Sequence, residues 1–116
     1  MMKRMMSSGV EIAYIDEGEG APIILSHCSS ASHSMWRALI DELTPRRRVL
    51  APDFIGYGQS GAWHCQRTFS LRDDAQILLD LAEIAGEPVH LVGHSYGARS
   101  RLRRCGCRRI LPARLP

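Results

Sequence analysis

The chain of 116 residues has no run approaching the ~18 consecutive apolar residues that a membrane-spanning helix needs. Its start, Met1 to Ser8, carries Lys3 and Arg4 but no apolar core and no small-residue cleavage site, so it does not read as a secretory signal. A soluble, cytoplasmic protein is therefore expected. The four cysteines, Cys28, Cys65, Cys105 and Cys107, lack the paired spacing of a zinc site or a disulfide framework, and free thiols in a reducing compartment are the expected state. No metal or organic cofactor is implied. From Tyr96 to Pro116 the chain contains no Asp, Glu or His, which removes acid and base chemistry from its final segment.

Charge divides the chain in two. Residues 1–97 hold eight Lys and Arg against twelve Asp and Glu, a net of −4, whereas residues 98–116 hold seven Arg and no acid, a net of +7. A basic tail of this kind is one signature of a nucleic-acid or acidic-surface binder. The tail has no aromatic residue on which bases would stack, so no nucleic-acid partner is expected.

Along the chain, Val10, Ile12 and Tyr14 alternate with Glu11 and Ala13, a strand with one wet face. Ile23-Ile24-Leu25 is a continuous apolar run of the kind found in strands covered on both sides. Ser34 is placed to cap a helix over about residues 35–43, and Thr44-Pro45 ends it. Arg46-Arg47-Arg48 reads as a solvated helix-to-strand loop rather than a phosphate site, and Val49-Leu50-Ala51 as the next strand. Ser70 caps a second helix whose apolar stripe is Ala75, Leu78, Leu79, Ala82 and Ile84, with Gly86 and Pro88 as its stop. Val89, Leu91 and Val92 form a last short strand. Strands alternating with helices imply an α/β domain with a mainly parallel sheet and flanking helices.

That last strand runs into Gly93-His94-Ser95-Tyr96-Gly97, a G-x-S-x-G pattern. A serine that must present its Oγ above the end of a sheet sits on a sharp strand-to-helix turn. Side chains two residues before and after it would collide, so both places favour glycine. Upstream, His27-Cys28-Ser29 with Trp36 follows the apolar strand, and Asp53-Phe54-Ile55-Gly56-Tyr57-Gly58-Gln59-Ser60 follows the next one.

These landmarks, in this order, resemble the α/β-hydrolase family, in its serine hydrolase branch, over about residues 9–97. The resemblance implies a partial α/β-hydrolase fold with later strands missing, and an esterase-like hydrolase of ester or related carbonyl substrates. It implies Ser95 as nucleophile, Gly93 and Gly97 as the elbow glycines, and the backbone N–H groups of Ser29 and Tyr96 as oxyanion donors. Cys28 departs from the glycine common at its position, which is tolerable where φ is negative. Asp53 is implied as a residue that holds turn amides, not as the triad acid. His27 is expected to bond to the adjoining loop, His94 to point away from the serine, His90 to be packed, and His33 and His64 to lie in loops without assigned roles. A serine at the elbow disfavours the haloalkane dehalogenase and epoxide hydrolase branches, whose nucleophile there is an aspartate.

In the family the acid and histidine follow the serine, and this chain has neither, so it is expected to be inactive by itself. Residues 1–97 read as the amino-terminal part of a hydrolase domain and 98–116 as an Arg-rich tail foreign to it. Nine of the eleven residues from Arg99 to Arg109 are Arg, Gly or Cys, whose codons share a central G when Arg is CGN. A frame displaced by one base would begin each such codon with G and encode the small residues of a packed helix, so a frameshift near codon 98 is expected. With its later neighbour absent, the strand at 89–93 would be an open apolar edge, and self-association through it is expected. The competing reading is a non-catalytic protein whose basic tail binds nucleic acid or an acidic surface.

Overall fold

The computed structural model describes residues 2–28, 31–64 and 68–93, together with the backbone of 106–110. Its strands are β1 (Lys3–Ser7), β2 (Val10–Glu17), β3 (Ala21–Ser26), β4 (Arg47–Pro52), β5 (Val89–Gly93) and β6 (Gly106–Ile110). A short 3-10 helix, His33–Trp36, leads into α1 (Arg37–Leu43), and α2 spans Leu71–Ala85. The six strands form one sheet in the order β1-β2-β4-β3-β5-β6. Its centre is parallel, β4 with β3 and β3 with β5, while β1, β2 and β6 join antiparallel.

The apolar run of β3 is covered on both sides because successive side chains point to opposite faces. Ile24 joins Val10, Ile12, Tyr14, Leu50 and Leu91 beneath α2. Ile23 and Leu25 face the other way, with Ile15, Val49, Ala51 and the Ile40 of α1. α2 begins in a reciprocal cap: Ser70 Oγ accepts from Arg72 N, and Asp73 Oδ2 accepts from Ser70 N at 2.8 Å. It ends at Gly86, whose φ of +73° is the left-handed stop that glycine adopts without strain.

The buried stripe of α2 differs from the expected one. Ile77, Leu78, Leu81, Ala82 and Ala85 are buried, whereas Ala75 and Leu79 are half-buried and Ile84 is 41% exposed. Asp74 explains the rotation: it is fully buried and its Oδ1 accepts from Ile55 N at 3.1 Å, which fixes that side of the first turn against the loop after β4. A stripe read from hydropathy alone has no reason to include a carboxylate.

Three further differences are local. β1 pairs with β2 through a two-residue turn, Ser8-Gly9, with φ of +51° and +79°, which matches the twist of a hairpin. Ala13, expected on a wet face, is buried, because the 53–61 loop takes its backbone: Asp53 N donates to Ala13 O and Ala13 N donates to Ser60 Oγ. The first helix is capped at Ser32, whose Oγ accepts from Ser34 N, and not by Ser34 itself.

The expectation of an open edge on β5 is also corrected. Gly106–Ile110 pairs antiparallel with Val89–Gly93 along its whole length. A ladder is made by backbone groups, so an arginine-rich segment can supply a strand where it cannot supply a buried helix face.

Candidate functional site

β3 and β5 are parallel neighbours in register, with Ser26 opposite Gly93. Adjacent strands lie ~4.8 Å apart, so the segments that follow them start side by side at one end of the sheet. Gly93 closes β5 there. Ser29, Ser95, Tyr96 and Gly97, and with them His94, lie outside the described residues.

His27, one residue past β3, is fully buried. Its Nε2 lies 3.0 Å from Phe54 N and its Nδ1 2.7 Å from Cys28 O. A backbone N–H can only donate and a carbonyl can only accept, so the ring is neutral with its proton on Nδ1. Burial holds the imidazole below the usual histidine range, and the bond to Cys28 and the nearby Asp53 charge oppose that shift. With both nitrogens engaged and the Phe54 and Tyr57 rings against it, His27 joins the loops after β3 and β4 and has no free lone pair for base chemistry. The loop bond anticipated for it is present.

Asp53 anchors the second loop. Its buried carboxylate accepts from His33 N at 2.7 Å and His33 Nδ1 at 2.9 Å on one oxygen, and from Gln59 N at 2.9 Å on the other. Gly58 lies against that carboxylate with φ of +51°, and a Cβ there would collide with it. Ser60 Oγ donates to Asp53 O at 2.6 Å and accepts from Ala13 N at 2.9 Å. Each residue type of the Asp53, Gly58 and Ser60 pattern thus has a physical cause, and Asp53 holds amides as expected.

Cys28 is a half-buried free thiol, and its N donates to the sulfur of Met35 at 3.3 Å. Among the described residues Ser8 is the non-glycine residue with positive φ, so Cys28 sits in ordinary backbone where a side chain is tolerated. Between the two loops lies an open cleft, walled by Ser32, Ser34 and Met35 on one side and Gly56, Tyr57 and Gly58 on the other.

Of the arginine triplet, Arg46 is exposed in the helix-to-strand turn as expected, whereas Arg47 and Arg48 are not solvated loop. Arg47 and Arg48 begin β4, and Arg48 grips Asp16 with Nε and Nη2 at 2.9 and 2.8 Å. Those hydrogen bonds hold the Asp16 carboxyl below the usual carboxylate range. Arg47 donates through Nε to Ala21 O and through Nη2 to His90 Nδ1 at 3.2 Å. The pair clamps strands together and is already engaged. His33, left without a role by sequence reasoning, proves to be the partner of Asp53; the two are 20 residues apart, and no local periodicity joins them.

The family sequence model described as the alpha/beta hydrolase fold matches residues 21–100. The chain belongs to that family. Among its relatives, the 2-hydroxy-6-oxo-2,4-heptadienoate hydrolase of Pseudomonas putida is 30% identical over 105 residues, 82% of this chain and 36% of that protein. The 2-hydroxymuconate semialdehyde hydrolase of Pseudomonas sp. strain CF600 is 32% identical over 102 residues, 82% of this chain and 35% of that protein. A haloalkane dehalogenase of Agrobacterium fabrum is 42% identical over a shorter stretch of 52 residues, 45% of this chain and 17% of that protein. An alpha/beta hydrolase fold protein from Burkholderia ambifaria superposes with a TM-score of 0.75 at 29% identity, over 84% of this chain and 36% of its own. This hydrolase-fold chain spans about a third of the length of the two hydrolases it matches. Among its described residues no helix is long and apolar enough to cross a membrane.

Proposed function

We propose that this chain is the nucleophile-bearing portion of a serine hydrolase that acts on an ester or related carbonyl substrate. Ser95 is the nucleophile, and the backbone N–H groups of Ser29 and Tyr96 receive the oxyanion. The single observation that carries this reading is the register of β3 and β5, Ser26 opposite Gly93, which starts the segments bearing Ser29 and Ser95 from neighbouring strands. The two hydrolases named above act, by their names, on a 2-hydroxy-6-oxo-dienoate and a semialdehyde, and both substrates offer a carbonyl carbon. Ser95 in place of an aspartate sets the chain apart from the haloalkane dehalogenase branch.

A serine hydroxyl is a weak nucleophile until an adjacent base takes its proton. Residues 96–116 hold no Asp, Glu or His, so a triad in the order serine, acid, histidine is incomplete within these 116 residues. The chain by itself is therefore a hydrolase scaffold with a quiet serine. Hydrolysis of a short acyl ester by the purified chain tests this: little turnover is expected, and Ser95→Ala changes none of it. Robust turnover that Ser95→Ala abolishes would overturn the proposal that the serine is quiet.

A further inference from the structure

The methionines differ in what holds their sulfur. Met2 and Met5 are half-buried and pack against the two cores. Met6, on β1, is 63% exposed, and Met35, in the 3-10 helix, is 40% exposed. Among the described methionines Met35 alone has a sulfur that takes a hydrogen bond: Cys28 N donates to it at 3.3 Å. A thioether is a weak acceptor, and this bond occupies one of its two lone pairs. Met35 also walls the open cleft opposite Gly56, Tyr57 and Gly58, so its sulfur side chain stands where a small solute arrives. Its backbone is fixed separately, with Met35 N donating to Ser32 O at 3.1 Å. The N–H···S contact therefore ties the loop after β3 to a side chain that is both exposed and oxidisable.

We propose that Met35 is a reversible oxidation site for peroxides, and that its sulfoxide repositions the loop after β3 through the N–H of Cys28. The free lone pair of Sδ bonds to one oxygen of hydrogen peroxide as the O–O bond breaks. The proton on that oxygen passes to the departing hydroxide, which leaves as water. Sulfur loses two electrons and the peroxide gains them. The product is polar and chiral where the thioether was apolar, and methionine sulfoxide reductases, one for each epimer, reverse it. The sulfoxide oxygen is a stronger acceptor than the sulfur and projects beyond it. Cys28 N–H turns to that oxygen, so the loop and the 3-10 helix no longer keep their present spacing. Met6, whose sulfur holds no backbone group, is oxidised without this consequence. The modification does not rest on the serine reading; its effect on chemistry does, because Cys28 precedes Ser29, the residue given an oxyanion donor above.

The test treats the full 116-residue chain with hydrogen peroxide and then with dithiothreitol, which restores disulfides and sulfenic acids but leaves sulfoxides. Tandem mass spectrometry reads the oxygen gained at each methionine, and nitrogen-15 spectra follow the Cys28 amide. Met35 gains its oxygen several-fold faster than Met5, and the Cys28 amide signal moves in proportion to the Met35 product. Sulfoxide reductases of both epimer specificities return the signal to its starting position. In Met35→Leu the signal stays put under peroxide, while in Met6→Leu it still moves. Met35 oxidised no faster than Met5 overturns the proposal, as does a Cys28 amide that stays put once Met35 is oxidised or that still moves in Met35→Leu. Should Met35→Leu fail to fold, partly oxidised wild-type samples decide: a Cys28 shift that tracks the Met6 fraction rather than the Met35 fraction rules the switch out. No readout depends on turnover, so failure here is distinct from failure of the serine reading.

Discussion

Gly58 lies against the carboxylate of Asp53 so closely that no Cβ fits between them, and it does so with φ of +51°. Gly58→Ala meets both a strained backbone and a collision with a buried, fully engaged acid. We expect a loss of about 2–4 kcal/mol, within the upper range of single substitutions. Urea denaturation followed by tryptophan fluorescence measures it, and a change under 0.5 kcal/mol would mean the loop simply shifts.

Two leucine-sized side chains on α2 separate the observed stripe from the one that hydropathy suggests. Leu81 is fully buried and Ile84 is 41% exposed. Leu81→Ala is expected to cost about 2–5 kcal/mol through lost burial and a cavity, whereas Ile84→Ala stays within about 0.5 kcal/mol. Equal losses would place the two residues on the same buried face.

Acid should weaken the fold in two windows. The folded pKa of His27 lies below its ordinary 6.5, so the unfolded chain binds the proton first, and stability falls as pH drops below about 6.5 towards the folded value. Asp16 is also lowered, from 3.8, by Arg48; its contribution is present above that value and is lost as pH falls further through the folded pKa. Denaturation midpoints at pH 7.5, 6.5 and 5.5 test the first window. His27→Gln, whose side-chain oxygen can still accept from Phe54 N, should remove the midpoint drop between pH 6.5 and 5.5; an unchanged drop would assign it to another histidine.

Self-association through an open β5 edge is expected of a chain without β6. In the whole chain the backbone of β6 pairs with β5 along its length. Deleting residues 106–116 leaves Val89, Leu91 and Val92 on an open edge. Light scattering after size-exclusion chromatography should show larger species for the deletion than for the whole chain. A monomeric deletion variant would show that an open β5 is not a template.

The tail poses a separate question, answered in the gene. Read one base out of frame from about codon 98, the coding DNA should encode a small-residue helix followed by an acid and a histidine. A displaced frame without them rejects the frameshift.

The sequence by itself determined the α/β alternation, the three central strands, the capped start and glycine stop of α2, and the loop roles of His27 and Asp53. These rest on short-range rules: period-two apolar runs, a serine three residues before an aspartate, and glycines spaced from an acid. Only the tertiary structure decided the rest. Asp74 turned α2 about its axis through Ile55, Arg48 on β4 found Asp16 on the neighbouring strand β2, His33 met Asp53, and β6 closed the edge of β5. Each joins residues 13 to 32 positions apart, counting Gly93 and Gly106 as the nearest pair. The reason is physical: a buried carboxylate must find N–H or cationic partners wherever the fold brings them, and a backbone ladder accepts almost any sequence that reaches it.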